Sequence, residues 1–222
     1  MAVVTFLSDY GLDDDFVGVC HAVMARIAPD VRVVDLTHGV PRHDLRTAAL
    51  VLRRTLPFAP PGVHLAVVDP EVGGGRRAVA LRCAEEDRLL VGPDNGLLGP
   101  AAERFGGCVE VVEISRSPWR LEPVSATFHG RDVFAPVAAR LAAGEDLQDA
   151  GEPLEVDDLV SLDLPQPYVE DGALVAHVVG VDRFGNVLLD ATHDLARDAP
   201  GPVPGGRAAG EAGQWLLLRV SD

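Results

Sequence analysis

Apolar residues along the chain fall into two alternating patterns. Short, mostly apolar runs read as buried strands, and longer stretches repeat at helical spacing. Residues 2–7 form the first run and end at Ser8-Asp9. Phe16, Val19, Cys20, Val23, Met24 and Ile27 then recur at three- and four-residue intervals, which predicts a helix. Asp13 or Asp14 is placed to cap it, and acidic residues there suit the helix dipole. Val31 to Leu36 predicts a second strand, rich in β-branched residues. Asp44 is placed to cap a helix reaching about Leu56, where Pro57 stops it. Val63–Val68, Ala78–Cys83, Leu89–Val91 and Val109–Ile114 continue the strands. Short helices are expected near Leu97–Phe105 and over Val133–Leu141.

This alternation predicts an α/β domain over residues 1–150, a Rossmann-like, mainly parallel sheet with helices on both faces. The pattern changes from Glu152. Acidic and proline-bearing residues predict a linker over 151–170, and a small β domain is expected over 171–222. Its strands are Leu174–Val181, Val187–Leu189 and Trp215–Val220, with Asp182-Arg183-Phe184-Gly185-Asn186 as the turn joining the first two. Residues 199–213 are rich in proline, glycine and alanine and read as a mobile segment.

Composition narrows the chemistry. The 222 residues carry a net charge of −15, which argues against nucleic-acid binding. All 19 basic residues are arginine, so Schiff-base lysines, pyridoxal phosphate and a lysine-bearing P-loop are excluded. No apolar run is long enough to span a membrane, and the N-terminus reads as a strand and not a signal peptide. Cys20, Cys83 and Cys108 lack metal-type spacing and fit reduced thiols in a cytoplasmic protein.

Asp69 stands at the end of an apolar run, a glycine-rich loop follows, and Arg76 opens the next run. Strand ends in α/β proteins are where ligand sites form. His129, beside Gly130, can join them, and an Asp, an Arg and a His together can activate a small nucleophile. A turn-capping Asp69 with Arg76 on a surface carboxylate satisfies the same spacing. Asp9 sits at a strand tip, where a carboxylate can accept ribose hydroxyls, although no GxGxxG follows. His38, His43 and Asp44 offer metal-ligating atoms without the one-face helical spacing of a zinc motif.

Six segments in order, from Phe6-Leu7-Ser8-Asp9-Tyr10-Gly11 with Asp14 to Asp182-Arg183-Phe184-Gly185-Asn186-Val187, resemble the S-adenosylmethionine hydroxide adenosyltransferase family. Between them lie Asp35-Leu36-Thr37-His38, Val68-Asp69-Pro70 through Arg76, Gly92-Pro93-Asp94-Asn95-Gly96-Leu97-Leu98 and Thr127-Phe128-His129-Gly130-Arg131-Asp132. The family is related to fluorinases and chlorinases. The resemblance implies a C-terminal β-barrel and a homotrimer with each site between neighbouring subunits. It implies catalytic roles for Asp69, Arg76 and His129, with S-adenosylmethionine as substrate and neither cofactor nor metal. It places Asp9 on the ribose hydroxyls and Asp14, His43, Asn95 and Phe128 among the substrate contacts. Asp182, Phe184 and Asn186 would come from the neighbouring chain. In the halogenases a tyrosine replaces the aspartate and the histidine is also replaced, so Asp69 and His129 favour hydrolysis. Family members continue further with a longer barrel, whereas here the last strand-like run ends at Val220 and the barrel is shortened. A non-catalytic S-adenosylmethionine-binding protein and a metal-dependent hydrolase using His38, His43 and nearby aspartates are the alternatives.

Overall fold

The computed structural model describes residues 3–170 and 173–191. The chain divides into two compact units, Met1–Asp163 and Leu164–Asp222. In the first unit β1 (Val3–Ser8), β2 (Arg32–Thr37), β3 (Val63–Val67), β4 (Ala78–Cys83), β5 (Leu89–Pro93), β6 (Cys108–Glu113) and β7 (Glu152–Leu154) form one sheet. Their spatial order is β2-β1-β3-β5-β4-β6-β7. β2, β1, β3 and β5 pair in parallel, while β4 and β7 are antiparallel to their neighbours. The sheet is therefore mainly parallel, as the alternation predicted.

Helix α1 (Phe16–Ile27) links β1 to β2, and α2 (Leu45–Thr55) carries the chain back across β1 to β3. Helix α3 (Gly99–Arg104) and helix α4 (Ala135–Ala142) complete the layers. Two hydrophobic clusters lie on opposite faces of the sheet. Alternate residues of each strand feed them: Val4 and Phe6 of β1 join α1 and α4, whereas Leu7 joins α2 and α3. Asp44 caps α2 as expected, accepting from the Thr47 amide at 2.9 Å and its hydroxyl at 2.6 Å. A short 3₁₀ turn at Leu56–Phe58, containing Pro57, ends it.

Three expectations need correction. The cap position of α1 is Asp15 and not Asp13 or Asp14, and its side chain makes no capping bond. The helix there rests on its buried face, Val17, Cys20 and Met24. The stretch expected to be all linker begins as β7, which pairs with β6 through Val111 and Leu154. An apolar residue on one face and an exposed β6 edge are enough to recruit it. The predicted helix over Val133–Leu141 opens instead with a π-helical turn at Gly130–Phe134 before α4.

A fully buried polar cluster sits inside the sheet layer. His64 Nδ1 lies 2.8 Å from Thr5 Oγ1, and Arg88 Nη1 reaches His64 Nε2 at 3.0 Å. Arg88 also pairs with Glu86 and covers the Phe105 ring at 4.3 Å. A guanidinium only donates, so Nε2 of His64 is the acceptor and Nδ1 carries the proton. Burial, and secondarily Arg88, pushes His64 down to about 3. The three cysteines are free thiols, and burial raises Cys20 to about 12 and Cys83 to about 11.

In the second unit, β8 (Tyr168–Glu170) pairs with β9 (Ala173–Val175), and β10 (Val178–Val181) pairs with β11 (Val187–Leu189), both antiparallel. The expected strand Leu174–Val181 is divided into β9 and β10, which pair with different strands, and the turn 182–186 joins β10 to β11 as predicted. The described residues make two hairpins. The expected strand Trp215–Val220 and the stretch 199–213 lie outside them. Among the described residues no helix is long and apolar enough to cross a membrane.

Candidate active site

The chain leaves β1 on one side toward β2 and returns on the other side to β3, so the sheet reverses direction of growth between β1 and β3. That reversal opens a crevice at the carboxyl ends of the strands. Asp9 follows β1 and Asp69 follows β3, and the two strands run in register with Ser8 beside Val67. Both carboxylates thus stand at the mouth of the crevice. Asn95, just beyond β5, donates from Nδ2 to the Val68 carbonyl at 2.9 Å and accepts the Leu97 amide at 3.2 Å. It braces the backbone immediately before Asp69.

Asp69 and Arg76 come together across the glycine-rich loop. Arg76 Nε donates to Asp69 Oδ1 at 2.9 Å, and its Nη2 donates to Oδ2, a bidentate pair. Both side chains are nearly buried, at 4% and 6% exposure, so this is not a surface ion pair. The Phe134 ring lies 5.1 Å from the guanidinium carbon and holds its plane. Arg76 Nη2 also reaches His129 Nδ1 at 3.1 Å. The three residues read together from the sequence therefore form one chain of contacts, Asp69–Arg76–His129.

Two glycines make that meeting sterically feasible. Gly73 has φ +74°, and a Cβ there would lie 2.1 Å from the Ala126 carbonyl oxygen. The loop that carries Arg76 can press against the loop that carries His129 only without a side chain at 73. A Cβ on Gly130 would lie 2.1 Å from the Tyr10 hydroxyl. Asp132, almost fully buried, ties the histidine loop by accepting the Ser125 amide at 2.8 Å and the Arg131 guanidinium.

His129 is half-buried, and its pKa is lowered from the ordinary histidine value. Burial is the main cause, the neighbouring Arg76 charge the second; Asp69, Asp132 and the Ser125 carbonyl oppose them. Because Arg76 has no acceptor, His129 Nδ1 presents its lone pair to Arg76 and the ring proton resides on Nε2.

Tyr10 belongs to this site and escaped the sequence reading. Its hydroxyl is raised well above its ordinary value, by burial first and then by Cys20, Asp69 and Asp9, with Arg76 opposing. It therefore stays protonated between the two carboxylates. Its ring meets Phe128 edge-on at 6.0 Å, and Phe16 meets Phe128 edge-on at 4.9 Å. Phe128 thus belongs to an aromatic wall. The sequence signal for Tyr10 was its place in the Phe6–Gly11 segment, where no role was assigned to it.

The other expected residues are dispersed. Asp9 accepts the backbone amide of His43 at 2.9 Å, and His43 holds φ +64°. The His43 ring is exposed, with Arg42 Nε at 3.4 Å from Nε2. Asp14 is exposed on the loop before α1. In the second unit Asp182 Oδ1 accepts the Phe184 and Asn186 amides at 2.8 and 2.9 Å, and Asn186 Nδ2 donates to Oδ2 at 2.7 Å. Those hydrogen bonds, led by the Asn186 side chain, lower the Asp182 pKa. His38 and His43 do not converge as a metal pair. Among the described residues the histidine–carboxylate group that does converge is His21, Asp35 and His38.

Residues 4–151 match the model of the SAM hydroxide adenosyltransferase N-terminal domain. The chain belongs to that family. It is 52% identical over 197 residues to the (R)-S-adenosyl-L-methionine hydrolase of Salinispora tropica, spanning 89% of this chain and 75% of the relative. A fluorinase of an Actinoplanes species is 31% identical over 212 residues, spanning 83% of this chain and 70% of the relative. An uncharacterized conserved protein from Thermotoga maritima superposes with a TM-score of 0.82 at 40% identity, over 86% of this chain and 72% of that one. The hydroxide adenosyltransferase match covers the sheet from β1 to β6 and both loops of the Asp69–Arg76–His129 chain.

Proposed function

We propose that the protein hydrolyses S-adenosyl-L-methionine to adenosine and L-methionine. The observation that carries this reading is the Asp69–Arg76–His129 chain at the β1–β3 crevice. A halide nucleophile needs a desolvated pocket, and a carboxylate beside it repels the anion. Water has no such conflict. The 52% identity to a relative named as the hydrolase, against 31% to a fluorinase, supports the same choice.

The substrate carries a sulfonium, so the leaving methionine departs as a neutral thioether and no general acid is needed. The enzyme must hold a water in line with the carbon–sulfur bond at near-attack distance. His129 donates from Nε2 to that oxygen and orients it. Its Nδ1 lone pair is taken by Arg76. That leaves Asp69, whose oxygens keep further lone pairs beyond those used by Arg76, to accept the proton. The water oxygen bonds the ribose 5′ carbon, the carbon–sulfur bond breaks, and sulfur keeps the electron pair. Asp9 holds the ribose hydroxyls, Phe128 and Phe16 form the apolar wall, and Asn95 positions Asp69. Asp14 and His43 line the rim. No cofactor or metal takes part in this mechanism.

The assembly in this proposal is a homotrimer whose second units close as barrels. Asp182, Phe184 and Asn186 of a neighbouring chain then complete each site. Phe184, 78% exposed at its hairpin turn, supports a partner surface there. A cytoplasmic location fits the three free thiols.

The test is product analysis by mass spectrometry after incubation with S-adenosylmethionine in oxygen-18 water, with chloride and chelator arms. The expected result is adenosine carrying one labelled oxygen, plus methionine, unchanged by chelator. A chlorinated nucleoside, or intact substrate that binds without turnover, overturns the reading.

A further inference from the structure

We infer that His21, Asp35 and His38 form a binding site for a zinc-class divalent cation, separate from the Asp69–Arg76–His129 chain. His21 lies on α1, Asp35 on β2, and His38 just beyond β2. His21 Nε2 is 2.8 Å and His38 Nε2 3.0 Å from the same oxygen, Asp35 Oδ1. The three ligand atoms all lie within 4.8 Å of one another. A tetrahedral zinc with ligands at about 2.0–2.2 Å separates its donor atoms by about 3.4 Å, so small shifts accommodate one.

The group is unbalanced as it stands. His21 satisfies Asp35 with a well-aligned hydrogen bond. His38 Nε2, on a side chain only 2% exposed, is close to the same oxygen but makes no aligned hydrogen bond. Its other nitrogen, Nδ1, is engaged by Ser8 Oγ at 2.7 Å, and Ser8 Oγ already accepts the Tyr10 amide at 3.3 Å. Ser8 Oγ can accept Nδ1–H, and in that tautomer Nε2 presents a lone pair toward a carboxylate. That is the outer-shell arrangement that orients a metal-ligating imidazole. The Phe6 ring, edge-on at 4.7 Å, fixes the His38 plane. A cation satisfies the lone pair, the carboxylate and His21 together.

Two imidazoles and one carboxylate suit zinc or cobalt; magnesium and calcium prefer all-oxygen sites. His21 and Asp35 are 35% and 41% exposed, which leaves the fourth position to water. None of the three residues takes part in the proposed hydrolysis, so the inference stands or falls independently of that reading.

The test uses the full chain, stripped with chelator and titrated with zinc by calorimetry, then with cobalt by visible absorption. The expected result is one zinc per chain at this site, tetrahedral cobalt bands, and a zinc-dependent rise in Tm. His21→Ala and Asp35→Asn, both partly exposed and folded by circular dichroism, should each weaken binding at least tenfold and abolish the Tm rise. His177→Ala, outside the group, should retain both. Unchanged affinity and Tm response in His21→Ala and Asp35→Asn, or no saturable binding by the unsubstituted chain, overturns the inference.

Discussion

The molecule builds the same three-part chain twice, carboxylate to arginine to histidine. Asp69–Arg76–His129 stands at the crevice, and Glu86–Arg88–His64 runs from an exposed carboxylate between β4 and β5 to the buried strand β3. In both, a guanidinium donates to one ring nitrogen at 3.0–3.1 Å and holds the imidazole neutral. They differ in what the second ring nitrogen meets. In the buried chain it is satisfied by Thr5, and His64 is wholly enclosed. In the crevice chain the ring is half-buried, with Arg76 as its side-chain partner and the Ser125 backbone favouring its protonated form. One pattern serves packing and the other serves chemistry. The distinction rests on exposure and on which partner closes the network.

Breaking the crevice chain should have the largest effect. Asp69→Ala or His129→Ala should lower kcat by about 10²–10⁴ with little change in ligand affinity measured by calorimetry. Arg76→Lys should cost nearly as much, because a lysine cannot bridge Asp69 bidentately and reach His129 as well. Normal turnover in Arg76→Lys would reduce Arg76 to a point charge. Gly73→Ala comes next: its Cβ meets the Ala126 carbonyl and its φ is unfavourable, which should cost about 1–3 kcal/mol in denaturant unfolding and a matching drop in kcat.

pH sharpens the contrast between the two histidines. His129 must stay neutral to accept from Arg76, and its pKa is depressed. The acid limb of kcat/KM should therefore fall below the ordinary histidine range near 6.5. His129→Gln should remove that limb from any residual activity. His64 should show in stability instead. Its folded pKa of about 3 lies below its unfolded value, so the unfolded chain binds the extra proton between those limits. Stability is fully present above about pH 6.5 and is lost as pH falls, by about 1.4 kcal/mol per unit from this group. Denaturant titrations at pH 7 and pH 5 of the parent and His64→Gln measure the difference in slope.

The strand and helix order was legible because β1 to β6 are mostly apolar runs and α2 has a capping aspartate at the expected place. Asp69, Arg76 and His129 were legible through a strand end, a glycine loop and motif order. What escaped were interactions with no local signature. Tyr10 and His21 look like ordinary residues until the fold brings them against Asp69 and Asp35. Arg88 reads as a surface charge, yet its guanidinium is enclosed by Glu86, His64 and the Phe105 ring. Asp15 took the α1 cap position although three consecutive aspartates left the choice open. β7 could not be seen because its recruitment depends on the free edge of β6 and not on its own three residues.

The parallel register of β1 and β3 has a metric consequence. Neighbouring strands lie about 4.8 Å apart, and this sets the step between the two strand tips that Asp9 and Asp69 follow. In the proposed reading that step acts as a ruler one sugar ring wide. The ribose hydroxyls rest on one strand tip and the carbon under attack falls opposite the next, so the hydrogen-bonded sheet itself sets the aim of the water.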